Sequence, residues 1–274
     1  MKAFIKDCLN LLAPQTYQLN DKRFQMRSPS ARQADIMRKT IFTAENLERQ
    51  DRYFAAMGYM PGEAIIDVGA NIGYLTVLYT ILFPDAEIAA LEPSAANFRY
   101  LKENTKSFPN ILPLNFGAHH EETVLTLSMP SAKQNPKAAK PDQQRNSGLL
   151  SLYGQGGPKG ERVTLKRLDD ILAIQPLRKK IGFIKIDVEG NELNVLLGAQ
   201  RTISEHSPAV EVEVNPDTRT MSGTEWGRIR EFFARLGYEP YTFGALTMAH
   251  YKSSVVTETV NMVFIKDWEE KNLK

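Results

Sequence analysis

Hydrophobic positions in this chain fall into short continuous runs separated by stretches with apolar residues three or four apart. The runs are Ala64–Val68, Glu87–Leu91, Ile111–Phe116, Gly182–Asp187 and Ala209–Val214, and each has the length expected of a buried strand. Helical spacing lies between them, over Tyr74–Phe83, Ala95–Lys106, Leu168–Ala173, Glu192–Ser204 and Thr224–Leu236. In the last of these, Trp226, Ile229, Phe233 and Leu236 form an apolar stripe of the kind that covers a sheet. Strands alternating with helices predict an α/β fold, a mostly parallel Rossmann-like sheet with helices on both faces. Tyr238–Phe243 and Asn261–Ile265 read as two more strands that pair as a hairpin. Residues 1–60 read as a helical N-terminal extension closed by Pro61-Gly62, leaving residues 61–274 as one domain.

The rhythm breaks over 117–165. Val124–Met129 alternates apolar and polar residues like an exposed or antiparallel strand. Residues 130–162 then carry repeated Pro and Gly, from Pro130, Pro136 and Pro141 to Gly160. They are expected to form a loop or lid insertion, since connections of that length are usually functional when ordered. The apolar string Gly148–Tyr153 within it is expected to close over an active site.

The first strand enters a corner, Gly69-Ala70-Asn71-Ile72-Gly73, before its helix. Strand, glycine turn and helix make the nucleotide-binding corner of an open α/β sheet. Glu92 ends the next strand about 20 residues after Gly73, where a carboxylate can hold ribose hydroxyls. Asn71 occupies the place where a dinucleotide site needs a second glycine for the pyrophosphate. A ligand with ribose and no pyrophosphate fits better, and Asp67 before the corner suits one that carries positive charge. Asp67-x-Gly69-x-x-x-Gly73 resembles motif I of methyltransferases that use S-adenosylmethionine (SAM).

Composition narrows the class without naming a substrate. The chain has 274 residues, 42% hydrophobic and 24% charged, with a net charge of +2 and one cysteine. That charge argues for neither nucleic acid nor membrane, and one cysteine permits no internal disulfide, as in a reducing compartment. No apolar run approaches the ~18 residues of a membrane span. The N-terminus lacks the apolar core of a signal peptide. A cytoplasmic protein is expected, with a small-molecule or glycan acceptor and an oligomeric state the sequence does not define.

The stretch Ile184-Lys185-Ile186-Asp187-Val188-Glu189-Gly190-Asn191-Glu192, with Leu196-Leu197-Gly198-Ala199 behind it, is the most specific in the chain. Together with the Asp67–Gly73 corner, Glu92-Pro93, Leu168-Asp169-Asp170 and Val210-Glu211-Val212-Glu213-Val214, it resembles the FkbM family of SAM-dependent methyltransferases over about Leu47 to Ile265. The acid that usually follows a small-residue turn near the third strand is only partly matched, by Gly117-Ala118-His119-His120-Glu121. The resemblance implies a seven-stranded sheet with the last strand antiparallel, SAM at the ends of the first strands, and an oxygen acceptor on a sugar, glycan or secondary metabolite.

On that reading Asp67, Gly69, Ala70, Asn71, Gly73, Glu92, Ala118 and Asp187 hold the cofactor. Asp187, Glu189, Glu213 and His119 are the candidates for moving the acceptor's proton. No metal is expected from ligand spacing, and the alternative is a divalent cation on Asp187, Glu189 and Glu213, whose oxygens suit Mg²⁺ or Mn²⁺. Lys185 inside an apolar strand needs an acidic partner. The rival functions are a non-catalytic SAM-binding scaffold and a methyltransferase for another acceptor class. A base methylase is disfavoured, because Asp187-Val188-Glu189-Gly190 stands where an Asn/Asp-Pro-Pro-aromatic motif would stack a flipped base.

Overall fold

The computed structural model describes residues 14–19, 21–128, 160–216, 223–244 and 247–268. It opens with a hairpin, β1 (Gln15–Leu19) and β2 (Lys22–Met26), followed by helix α1 (Ala31–Ile36), a π-helical turn (Met37–Ile41) and helix α2 (Ala44–Ala56). The alternating half is β3 (Ala64–Val68), α3 (Tyr74–Leu82), β4 (Ile88–Leu91), α4 (Ala95–Thr105) and β5 (Ile111–Leu114). A small sheet uses β6 (Gly117–Ala118), β7 (Thr123–Leu127) and β8 (Glu161–Lys166). Then come α5 (Leu168–Ile174), β9 (Ile181–Ile186), α6 (Glu192–Gly198), α7 (Gln200–His206) and β10 (Ala209–Val214). The described chain ends with α8 (Gly223–Arg235), β11 (Tyr238–Gly244), β12 (Thr247–His250) and β13 (Val260–Lys266).

The main sheet runs β12-β11-β13-β10-β9-β3-β4-β5. From β10 to β5 every neighbour is parallel, and β13 inserts antiparallel between β10 and β11. β3 and β9 are buried at every residue, as strands covered on both faces must be. One face packs against α5 to α8 through residues such as Leu168, Leu196, Ile203 and Phe233. The other packs against α2 and α3, where Phe54 meets Tyr59, Tyr79, Phe83 and Phe183. Among the described residues no helix is long and apolar enough to cross a membrane.

Three expectations change. The sheet has eight strands rather than seven, because β12 folds back on β11 from Tyr241↔His250 to Gly244↔Thr247. This edge strand is mostly exposed, so no apolar alternation marks it. The segment before residue 60 is not helical throughout: β1 and β2 bury Tyr17, Leu19, Phe24 and Met26 against Phe42, Ile72, Val77 and Leu78. The helix expected over Glu192–Ser204 is two helices. Gly198 sits where an added Cβ would lie 1.9 Å from the His119 carbonyl oxygen, and this close approach falls at the junction. The expected loop or lid lies outside the described residues except for 160–162, where β7 and β8 pair from Leu127↔Glu161 onward.

Candidate active site

The corner after β3 is shaped by its protein neighbours. Gly69 and Gly73 have φ of +87° and +85°, a region that disfavours side chains. A Cβ on Gly69 would lie 1.9 Å from the Asp187 carbonyl oxygen, and one on Gly73 2.7 Å from Leu101 Cδ1. The glycines therefore let the corner close onto β9 and α4. Asn71 lies between them, also in the left-handed region, and its N–H donates to Glu92 Oε2 at 2.9 Å.

Glu92 ties two loops together. Its other oxygen, Oε1, accepts from the Ser94 N–H at 2.8 Å and from Asn97 Nδ2 at 3.5 Å. Glu92 lines the cavity and is only 5% exposed. Burial pushes its carboxyl up to about 7, against the lowering effect of those hydrogen bonds.

A cavity of about 380 Å³ opens here, within the range of small-molecule sites. Of the residues expected to hold a cofactor, Gly69, Asn71, Glu92, Ala118 and Asp187 line it. Asp67, Ala70 and Gly73 do not line it. Asp67 is 1% exposed and accepts a hydrogen bond from Thr76 Oγ1 at 2.6 Å, which fastens the first turn of α3 to β3.

Part of the cavity lining is acidic. Asp187, Glu189 and Glu213 lie on it, with carboxylate oxygens within 4.8 Å of one another. Behind them is a row of charges set by strand register: Asp67 on β3 and Glu211 on β10 both pair with Lys185 on β9. Lys185 Nζ reaches forward to Asp187 Oδ2 at 2.8 Å. Burial works against the Lys185 charge, but Asp187, Asp67 and Glu211 outweigh it and hold the ammonium well above its ordinary value. The Tyr53 hydroxyl closes the row by donating to Glu211. Burial and neighbouring carboxylates push Glu189 up to about 9. Burial and Asp187, with which Glu213 shares a hydrogen bond, push Glu213 up as well. Like charges this close keep a proton among them.

His119 does not join this group. Its ring is 6% exposed, tilted against His120 at 4.3 Å, and Nδ1 has no partner. Burial and His120 hold its pKa below the usual histidine value. It does not line the cavity, so geometry favours the carboxylates for proton transfer. Glu192 has a role that its place in the motif did not reveal: Oε1 accepts from the N–H groups of Val188 and Gly190 at 3.3 and 3.0 Å, holding the loop that carries Glu189. A second unforeseen group, Gln33, Ile36, Met37 and Ile41, forms a wall from the N-terminal segment.

Comparison with known proteins places this geometry in a family. The Methyltransferase FkbM domain matches residues 67–240. The chain is 26% identical over 192 residues to Methyltransferase 1 of Beauveria bassiana, covering 66% of this chain and 74% of the relative. It is 27% identical over 191 residues to the 31-O-demethyl-FK506 methyltransferase FkbM of Streptomyces tacrolimicus, covering 62% and 70%. A crystal structure of methyltransferase FkbM from Methylobacillus flagellatus aligns with 18% identity and a TM-score of 0.45, over 74% of this chain and 43% of that one. With the family's match running from the Asp67 corner through Asp187 and Glu213 to Pro240, this chain belongs to the FkbM methyltransferases.

Proposed function

We propose that the protein is a SAM-dependent methyltransferase that methylates a hydroxyl oxygen. The observation that carries this reading is Glu92, a buried carboxylate held on the cavity lining by the Asn71 and Ser94 N–H groups, with Asp187, Glu189 and Glu213 on the lining of the same cavity. SAM fits the donor set. Glu92 has lone pairs left for ribose hydroxyls, and Ala118, Pro93 and Leu165 supply apolar surface for adenine. Asp67 would act on the methionine end indirectly, through Thr76 and the start of α3. When bound, SAM supplies a methyl carbon already activated by its sulfonium.

The chain's own work is then positioning and proton removal. A well-oriented pair of reactants can gain up to ~7–11 kcal/mol in the best intramolecular cases. Asp187 is the leading proton acceptor, because Lys185 orients it and answers its charge. A carboxylate is a weak base for an alcohol, but the acceptor oxygen becomes strongly acidic as its bond to carbon forms. Burial and the neighbouring carboxylates push Glu189 and Glu213 up, and in their protonated forms they would donate hydrogen bonds to the acceptor's other oxygens. With Lys185 already on Asp187, the trio is assigned to acceptor chemistry rather than to a cation. The relative named for 31-O-demethyl-FK506 supports an oxygen acceptor.

Titration calorimetry with S-adenosylhomocysteine (SAH) and with NAD tests the cofactor; SAH is expected to bind and NAD is not. Transfer of a labelled methyl group to a panel of sugars and hydroxylated metabolites tests catalysis. Tight SAH binding with no turnover on any acceptor would favour the scaffold reading.

The Glu92 assignment makes a pH prediction. Ribose hydroxyls donate to the ionised carboxylate, so below a pKa of about 7 a proton must leave before the ligand binds. SAH affinity is expected to rise about tenfold from pH 6 to pH 8. Glu92→Gln should bind more weakly at pH 8 and lose the pH dependence. A wild-type change below twofold would remove Glu92 from the ribose site.

A further inference from the structure

The cavity wall formed by the N-terminal segment lies outside the region the family match covers. Gln33, Ile36, Met37 and Ile41 line it from α1 and the π-helical turn, all before residue 67, where that match begins. The wall is firmly held. Ser30 caps α1 by accepting from the Gln33 N–H at 3.2 Å, and the Phe42 N–H donates to the Met37 carbonyl at 2.8 Å. Met37 and Phe42 are buried with the β1–β2 hairpin against Val77 and Leu78 of α3. The helix that begins at the glycine corner therefore carries the wall. π-helical turns are rare and recur at functional sites. A single exposed isoleucine is ordinary on a surface, but Ile36, 45% exposed, faces a cavity.

The charges across the cavity complete the picture. Among the described residues, no Lys, Arg or His lines it, whereas Glu92, Asp187, Glu189 and Glu213 do. The Lys185 ammonium is buried and engaged with Asp187. An anionic acceptor would meet the Asp187 carboxylate, and among the described residues no cationic side chain on the lining answers it, a juxtaposition that disfavours such a ligand.

We propose that Ile36, Met37 and Ile41 read the body of the acceptor, and that the acceptor is an uncharged molecule with an apolar face against this wall and a hydroxyl directed to Asp187. The hydroxyl half rests on the methyl-transfer reading above; the wall half stands on the cavity alone.

The test uses two dyes sharing an aryl body, neutral N-phenyl-1-naphthylamine and anionic 8-anilinonaphthalene-1-sulfonate, titrated by fluorescence into the full chain with and without saturating SAH. The neutral dye is expected to bind saturably and more tightly than the anionic one. Ile36→Ser should weaken it about fivefold, in line with the apolar contact removed, and Ile36→Trp should abolish saturable binding. SAH affinity should stay within twofold in both variants, whose exposed site leaves melting temperatures near wild type. An unchanged dye affinity, no saturable dye binding to wild type, or an equal loss of SAH and dye affinity would overturn the wall. Equal affinity for the two dyes would overturn the uncharged class. If SAH fails to bind wild type while the dye pattern holds, the methyl-donor reading falls and the wall survives.

Discussion

Lys185→Met is expected to destabilise the protein by about 3–5 kcal/mol at pH 8, the range for removing one partner from a buried ionic group. The ammonium is the shared counter-charge of Asp67, Glu211 and Asp187, and Asp67 and Glu211 are 1% and 7% exposed. Without it these carboxyls must take up protons to stay buried. Burial already holds Asp67 and Glu211 above the ordinary carboxylate value, against the lowering effect of Lys185; loss of the ammonium raises both further, so the variant's native state binds still more protons relative to the unfolded chain. Stability then falls as pH rises through that window, and the deficit relative to wild type should be smaller at pH 5.5 than at pH 8. Urea unfolding at the two pH values measures both numbers. Adding Glu211→Gln to Lys185→Met should recover part of the loss, because coupled neighbours are not additive. A deficit under about 1 kcal/mol that does not change with pH would mean that the row is solvated and Lys185 is dispensable. The same experiment bears on function, since Asp187 is oriented by Lys185 from within the sheet.

That row shows what a sequence discloses and what it withholds. Lys185 in an apolar strand announces a need for an acid, because burying an unpaired charge is prohibitive. Which acids answer it depends on register: Asp67, Lys185 and Glu211 come level only once β3, β9 and β10 are side by side. The buried strands were legible because coverage on both faces leaves a continuous apolar run. The β1–β2 hairpin does alternate, with Tyr17, Leu19, Phe24 and Met26 inward, yet its polar partners resemble a helical surface in a short window. β12 carries no pattern, because an exposed edge strand answers to backbone pairing rather than to burial. That Glu92 and Asp187 line the cavity was legible from their place at strand ends, where open α/β sheets form their crevice. The wall of Ile36, Met37 and Ile41 was not, since nothing local marks a residue that meets the site only through tertiary packing. Nor does the sequence disclose that an added Cβ on Gly69 would meet the Asp187 carbonyl, since β3 and β9 come together only in the folded sheet.

Gly69→Ala should therefore disturb both folding and cofactor binding. The native φ of +87° costs a residue with a Cβ about 1 kcal/mol. The new methyl would start 1.9 Å from the Asp187 carbonyl oxygen, and overpacking of this kind adds about 1–3 kcal/mol. The carbonyl cannot easily swing aside. The Asp187 N–H donates to the Val68 carbonyl at 3.1 Å, Ile186 pairs with Val68, and the Asp187 side chain is held by Lys185. Relief must come from moving the corner, and with it the Asn71 N–H that presents Glu92. The expected result is a loss of about 2–4 kcal/mol in stability and a fall of roughly tenfold or more in SAH affinity, equal to about 1.4 kcal/mol. Gly62→Ala provides the comparison. Gly62 has a similar φ of +93°, but its nearest neighbour to an added Cβ is Lys179 Nζ at 4.0 Å. It should lose about 1 kcal/mol and keep SAH affinity. If the two variants behave alike, backbone strain alone explains Gly69; if only Gly69→Ala loses the ligand, contact between the cofactor corner and the Asp187 strand end sets the geometry of the site.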